Sequence, residues 1–237
     1  MALYRDTGIV LRTYKLGEAD RIVSFVTERH GKVRAVAKGV RKTKSKFGAR
    51  LEPTSHVALQ LYEGRELDIV TQAESVDHFK AIREDLDRLT RAVTMLEAVD
   101  QIAMERESNP DLYRMLLGAL RSLDDRNSEL VVAGFHWKLL ALEGYRPVVE
   151  HCALCERDDQ LVAFDPIEGG LLCTDHRRGT RVSPAAVDLL QAILGGRLAA
   201  ALDEPASPAT HEVDHLATRV MEHHLERRLR SVGLLDP

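Results

Sequence analysis

The residues best suited to chemistry in this chain are three cysteines and one histidine. Cys152 and Cys155 form a CxxC pair, Cys173 and His176 form a CxxH pair, and 17 residues separate the two pairs. Thiolate and imidazole donors in two close pairs, joined by a hairpin-sized insert, are typical of a tetrahedral zinc site. Because four protein ligands leave no open coordination position, we predict one structural Zn²⁺ per chain.

Other uses of these residues stay open at the level of sequence. A disulfide would pair two of the cysteines and leave the third alone, and nothing else in the chain suggests an oxidising compartment. Three buried cysteines could also cluster without a metal, or a zinc site could have lost its ion. His151 adjoins Cys152 and is an alternative ligand. Within the insert, residues 161–164 and 170–172 predict two short strands.

A second metal-binding pattern begins at His211, where the chain matches the HExxH signature of zinc hydrolases. On a helix, His211 and His215 would share a face, with Glu212 as the general base. The later glycine and histidine of the extended motif are replaced by Thr218 and Met221. We therefore interpret the pattern as a solvated helix face and keep a zinc hydrolase as a remote alternative. Phosphate-binding glycine motifs and a GxSxG motif are absent, and we expect no enzyme.

The charge of the chain is divided unevenly along its length. Residues 1–50 contain 13 Lys or Arg and 4 Asp or Glu, whereas the net charge of the whole chain is −4. A basic segment in an otherwise acidic protein favours contact with a polyanion, most often nucleic acid; the alternative is a merely solvated basic surface. The cations that we predict to contact nucleic acid are Arg12, Lys15, Lys32, Arg34, Lys38, Arg41, Lys42, Lys44, Lys46 and Arg50.

Residues 38–50, here called the basic loop, lie between two predicted strands and contain no carboxylate. Their mixture of Lys with Gly, Ser and Thr predicts a mobile loop that contacts phosphates without reading sequence. Tyr14, Phe25, Phe47 and Tyr62 are candidates for stacking on bases. Of these, Phe47 stands alone among polar residues, and we expect it to be the most exposed.

The elements that position these residues change character near residue 79. Residues 1–79 show five short segments of alternating polarity, which predict a small OB-fold barrel for nucleic-acid binding, although an SH3-like barrel would give a similar pattern. Residues 80–237 show helical periodicity, interrupted by the zinc-finger-like module at about residues 148–180. The fold class is therefore α+β and multidomain. Asn-Pro at residue 109 and Ser-Pro at residues 183 and 207 predict helix starts, and the last helix is predicted to reach about Arg230.

Composition and hydropathy limit the cellular location. The chain is 44% hydrophobic and 30% charged, as in ordinary globular proteins. It has no apolar run near the ~20 residues of a membrane span and no signal-peptide core at its N-terminus. We expect a cytoplasmic protein that does not bind membranes.

Short segments in order along the chain resemble the RecO family of bacterial recombination mediators. They include the strand-forming residues 6–11, residues 17–20, the pair Thr27 and Gly31, and the basic residues 38–42 with Lys44 and Ser45. Further segments are Phe135, Lys138, Leu139, Leu142, Gly144 and Pro147 before the CxxC, and residues 229–231 near the end. Members that bind zinc often use four cysteines, whereas His176 takes the fourth place here.

The resemblance implies an OB domain, a helical domain and an embedded zinc motif. It implies binding of single- and double-stranded DNA, annealing of complementary strands, and help in loading RecA on strands coated by single-strand-binding protein. RecR, RecF through RecR, and the acidic C-terminal tail of the single-strand-binding protein would be partners, with RecA an indirect one. The protein would associate with the nucleoid during repair. Charge and barrel fit an RNA-binding factor of translation or transcription equally well.

Overall fold

The computed structural model describes residues 2–231, which form two compact units. The first unit comprises residues 2–125 and the second residues 126–231. Among the described residues, no helix is both long enough and apolar enough to cross a membrane.

A five-stranded closed barrel forms most of the first unit. The strands are β1 (Leu3–Leu16), β2 (Asp20–Thr27), β3 (Gly31–Ala37), β4 (His56–Tyr62) and β5 (Asp68–Asp77). They pair in the order β1-β2-β3-β5-β4, with β4 returning to β1, and only the β3–β5 pair is parallel. This five-stranded closure confirms the predicted OB-like barrel.

Alternating residues of each strand fill the interior of the barrel. On β3, Val33, Ala35 and Ala37 are buried, whereas Lys32 and Arg34 lie on the outer face. Phe25 and Leu61 join the same hydrophobic core from β2 and β4. Because successive side chains of a strand point to opposite faces, the period-two pattern seen in the sequence places the cations outside.

Residues 104–107 run beside the edge of β3 and pair with it through the backbone of Lys32. The backbone N–H of Lys32 donates to the carbonyl of Met104 at 3.3 Å, and that of Arg106 donates to the carbonyl of Lys32 at 2.9 Å. Gly31 has φ of +64°, and a Cβ there would lie 1.8 Å from the carbonyl oxygen of Glu107. Only glycine can therefore occupy position 31 without displacing this segment.

Three helices complete the first unit: α1 (Lys80–Glu84), α2 (Leu86–Ile102) and α3 (Pro110–Asp125). The helical periodicity after residue 79 is broken at Asp85, which is extended and whose side chain accepts a hydrogen bond from the N–H of Arg88 at 3.0 Å. Asn109 caps α3 by accepting from the N–H of Leu112 at 3.0 Å, which confirms that predicted start. The barrel strands end at Asp77; the domain boundary at residue 79 stays a prediction.

The second unit combines helices with a small sheet. Its helices are α4 (Val131–Leu142), α5 (Pro184–Leu194), α6 (Leu198–Ala201) and α7 (Pro208–His224). Strands β6 (Leu161–Asp165), β7 (Gly170–Cys173) and β8 (Thr180–Arg181) pair in the order β7-β6-β8. The predicted hairpin within the cysteine-rich segment is therefore confirmed.

The predicted starts of α5 and α7 are confirmed, but the predicted end of α7 near Arg230 is wrong. Ser183 and Ser207 cap the two helices through their side chains. Helix α7 ends at His224, two residues before Glu226, which has φ of +50°. The Glu222 carboxylate then accepts from the N–H of Leu229 at 3.0 Å, so a side chain replaces the helical backbone bonds.

Candidate functional site

The predicted metal ligands lie together in the second unit. The donor atoms of Cys152, Cys155, Cys173 and His176 all lie within 4.8 Å of one another. His176 Nδ1 is 3.7 Å from Cys152 Sγ and 3.4 Å from Cys173 Sγ, and the Sγ atoms of Cys155 and Cys173 are 3.8 Å apart. Metal–sulfur bonds of about 2.3 Å place tetrahedral donors roughly 3.5–3.8 Å apart, so the quartet can hold a metal ion.

Two tight turns bring these donors together. In the first, the N–H of Cys152 donates to the carbonyl of Arg157 at 2.6 Å, and the N–H of Glu156 donates to the carbonyl of Cys152 at 3.0 Å. In the second, Cys173 ends β7 and His176 ends a short 3₁₀ helix. Residue 173 pairs with Leu161 across the hairpin, so the insert between the two pairs sets the separation of the turns.

The environment of the cluster favours thiolates at two positions. Burial opposes ionisation of Cys152, but backbone N–H groups of Cys173, Leu154 and Cys155 lower its pKa to about 6. Burial likewise opposes ionisation of Cys173, and hydrogen bonds from the backbone and ring of His176 lower the pKa of that thiol. Hydrogen bonds to these two sulfurs raise the pKa of His176. The lowered pKa values of Cys152 and Cys173 favour negatively charged sulfurs, which are the form in which cysteine binds a metal ion.

The alternative ligands from the sequence lie outside this cluster. His151 Nδ1 is 3.2 Å from the carbonyl oxygen of Cys152 and is not part of the quartet. The three cysteines form no disulfide. Among residues 2–231, the HExxH histidines join no group able to hold a metal, and the carboxylate of Glu212 accepts from the N–H of Ser183 at 2.8 Å. Glu212 thus links α7 to the start of α5.

The segments that carry the Cys₃His quartet contact the helical core of its unit. The rings of Trp137 on α4 and Phe164 on β6 lie 5.6 Å apart between centroids, and both residues are buried. Gln191 on α5 donates to the carbonyl of Val149 at 2.8 Å, just before the first cysteine pair. We therefore expect that unfolding of the segments around the quartet would destabilise helices α4 and α5.

The basic loop is anchored to the barrel, and its mobility stays a prediction. Phe47 is only 1% exposed and belongs to the barrel core together with Leu51 and Val40. The prediction that Phe47 is exposed was wrong, because a lone aromatic residue in a polar segment can turn inward and close the end of a core. Its neighbours keep their charged ends in solvent.

Two further contacts fix the loop along the barrel. At its start, the N–H of Arg41 donates to the carbonyl of Ala19 at 2.9 Å, in the turn between β1 and β2. Farther along, Lys46 Nζ donates to the carbonyl of Thr71 on β5 at 2.8 Å. The loop therefore spans from the β1–β2 turn to β5.

Nine of the ten cations predicted to contact DNA are exposed, and Lys32 is the exception. Lys32 Nζ lies 3.0 Å from Asp100, and Arg34 Nε lies 2.6 Å from Glu105. The side-chain amino groups of Lys38, Lys42 and Lys44 have no hydrogen-bond or ion-pair partner within residues 2–231. The charge available to a polyanion thus lies mainly on the basic loop.

The acidic partners of Lys32 and Arg34 were not identified from the sequence. Asp100 lies near the end of α2 and Glu105 in the segment beside β3, both more than 60 residues from the lysine and arginine that they neutralise. In the sequence, Asp100 and Glu105 are recognisable only as acidic residues. No periodic pattern of nearby residues predicts that they pair with side chains of β3.

An OB-like barrel with an exposed basic loop, followed by a helical unit with a Cys₃His cluster, describes a nucleic-acid-associated protein of composite architecture. The model for the N-terminal domain of recombination protein O matches residues 1–79, and the model for its C-terminal domain matches residues 83–232. The chain therefore belongs to the recombination protein O (RecO) family, which indicates a role in DNA repair and recombination.

Proposed function

We propose that this chain acts as a recombination mediator that binds single- and double-stranded DNA and anneals complementary strands. The observation that carries the proposal is the basic loop, which is exposed, anchored to an OB-like barrel and rich in unpaired cations. The membership of the chain in the RecO family supports the same function.

Annealing requires no covalent chemistry. It requires positive charge that reduces the repulsion between phosphates, and the basic loop supplies this charge. Two strands must approach each other against the repulsion of their phosphates, with their bases free to pair. Lys38, Lys42 and Lys44 can neutralise phosphates and release counterions without reading bases. The excess of acidic residues after residue 50 limits how far a strand can wrap around the protein.

We also propose that the quartet holds a structural zinc ion. Three sulfurs and one imidazole nitrogen form a donor set that suits Zn²⁺ and leaves no position for substrate. Because strand β6 contacts α4 and the segment before Cys152 contacts α5, the ion would stabilise the second unit rather than contact DNA.

The proposed partners follow from the family. We propose that the chain helps to load RecA on strands coated by single-strand-binding protein, that it binds RecR and through it RecF, and that it binds the acidic tail of the single-strand-binding protein. This work would take place at the bacterial nucleoid.

The decisive experiment mixes the purified protein with two complementary strands that are pre-coated with single-strand-binding protein. Duplex formation, followed by a fluorophore–quencher pair on the strands, should accelerate with protein concentration. A parallel binding series with structured RNA tests the alternative of an RNA-binding factor. Tight RNA binding without annealing of coated DNA would contradict the proposal.

A further inference from the structure

Strand β3 carries two cations on the outer face of the barrel, and the basic loop begins directly after this strand. The cations are Lys32 and Arg34, and Arg34 stands four residues, or roughly 13 Å, before Lys38. In barrels with this strand order, the face of the second and third strands is a common binding surface for oligonucleotides. Both cations are therefore placed to contact a strand that the basic loop holds.

Both cations are already engaged by carboxylates of the chain itself. Lys32 Nζ lies 3.0 Å from Asp100 Oδ1, and only 14% of each side chain is exposed. Arg34 Nε lies 2.6 Å from Glu105 Oε1, and these side chains are 43% and 49% exposed. A carboxylate and a DNA phosphate present the same kind of negatively charged oxygen to a guanidinium group. Glu105 therefore takes up the contact at Arg34 that a phosphate would need.

The segment that carries Glu105 is held at β3 from both sides. The backbone of Lys32 forms two hydrogen bonds with this segment, of 3.3 and 2.9 Å. The guanidinium of Arg106 donates to the carboxylate of Asp68 at 2.8 Å, and Asp68 is fully buried in the barrel. Because its backbone is fixed, the Glu105 carboxylate stays beside Arg34 at a high effective concentration.

The position of Asp100 is not explained by its own helix. Asp100 lies in the last turn of α2, where the helix macrodipole disfavours negative charge, and that turn holds no basic residue. Its carboxylate instead accepts from the Oγ of Ser24 on β2 at 2.9 Å and pairs with Lys32 on β3. Asp100 therefore ties the end of α2 to the β2–β3 face, shortly before the segment with Glu105.

We propose that Glu105 competes with DNA phosphates for Arg34, so that an acidic segment of the chain masks the β2–β3 face. The inference rests on the proposed DNA-binding function and adds a limit on that binding. The exposed ion pair of Arg34 and Glu105 is weak in water, so a phosphate can displace the carboxylate. A strand that the basic loop already holds raises the phosphate concentration at Arg34, and the β2–β3 face therefore binds second.

Removal of the competing charge should tighten DNA binding. We expect Glu105→Gln to raise the affinity for single strands and duplexes about fivefold at low salt, because Arg34 gains a phosphate contact. The slope of log K against log salt should steepen by roughly 1 unit. Fluorescence anisotropy across a salt series, with a labelled single-stranded oligonucleotide and a duplex of equal length, would measure both quantities.

The matched control lies two residues along the same segment. Glu107→Gln removes the same charge, but Glu107 is exposed and its carboxylate forms no ion pair within residues 2–231, so affinity and slope should stay as in wild type. A double-mutant cycle tests the partner: in an Arg34→Gln background, Glu105→Gln should change the affinity by less than about twofold. An equal gain in Glu107→Gln, or a full gain without Arg34, would overturn the competition.

The outcomes also separate this inference from the proposed function. If charge reversal at Lys42 and Lys44 weakens binding but Glu105→Gln keeps wild-type affinity and slope, the competition fails and DNA binding through the basic loop stands. If the wild-type protein binds neither single strands nor duplexes, the proposed function fails, and the competition fails with it.

Discussion

At the scale of single residues, the Cys₃His quartet is the feature that depends most on the exact placement of side chains. Its donors stand at tetrahedral spacing, and backbone N–H groups favour the thiolate of Cys152. We predict that Cys152→Ser removes stoichiometric zinc and destabilises the protein by roughly 3 kcal/mol, since loss of a structural metal is among the largest single-site effects. That corresponds to a fall in melting temperature of roughly 10 °C.

Elemental analysis and calorimetry would measure the two effects, with His151→Ala as the matched control. His151 adjoins the first ligand but lies outside the quartet, so this variant should keep its metal. Wild-type protein with no bound metal and an unchanged melting temperature in Cys152→Ser would refute the structural role.

At the scale of elements, the basic loop depends on a buried side chain rather than on its charge. Phe47 lies in the barrel core with Leu51 and Val10. We predict that Phe47→Ala destabilises the protein by about 3–5 kcal/mol, as for other large aromatic truncations in cores. Urea titration would measure this loss, and Phe47→Leu should retain most of the stability. A cost below about 1 kcal/mol for Phe47→Ala would contradict the anchoring of the loop.

Helix α4 presents a second test at this scale. Nine of its twelve residues are buried, and one of them is His136, whose two ring nitrogens have no hydrogen-bond partner. Burial lowers the pKa of His136 to about 4, from an ordinary value of 6.5. The unfolded chain therefore binds more protons than the folded chain between these values, and stability falls as the pH decreases from 6.5 towards 4.

We predict that His136→Phe makes the protein less sensitive to acid by up to roughly 3 kcal/mol at pH 4. Urea midpoints at pH 7 and pH 4 would measure the difference. Trp137→Phe serves as the control, because it alters a buried polar group on the same helix that does not titrate. An acid sensitivity equal to that of wild type in His136→Phe would show that His136 does not titrate as its burial requires.

At the scale of the whole molecule, the charge asymmetry is the dominant feature. Residues 1–50 carry a net charge of +9, within a chain whose net charge is −4. We predict that the double variant Lys42→Glu, Lys44→Glu weakens binding to single strands and duplexes alike by at least tenfold. The slope of log K against log salt should fall by roughly 2 units, one for each lost phosphate contact.

The control for this variant makes the same change of net charge elsewhere in the first unit. Lys80→Glu with Arg114→Glu reverses two exposed cations on α1 and α3 and should leave the salt slope as in wild type. If both double variants lose affinity equally, the binding depends on overall charge and not on the basic loop.

The sequence by itself determined the features that depend on neighbours in the chain. Alternating polarity predicted the strands of the barrel, Asn109, Ser183 and Ser207 predicted helix starts, and the spacing of CxxC and CxxH predicted the cluster. These features are local, because strand period, helix caps and paired ligands each depend on residues a few positions apart.

Only the tertiary structure decided which residues meet across long separations. The barrel closes in the OB-like order and not as an SH3-like barrel, and Phe47 lies in its core. Lys32 and Arg34 form ion pairs with Asp100 and Glu105. Strand register and ion pairing depend on how distant segments pack. The periodicity of nearby residues does not predict that packing.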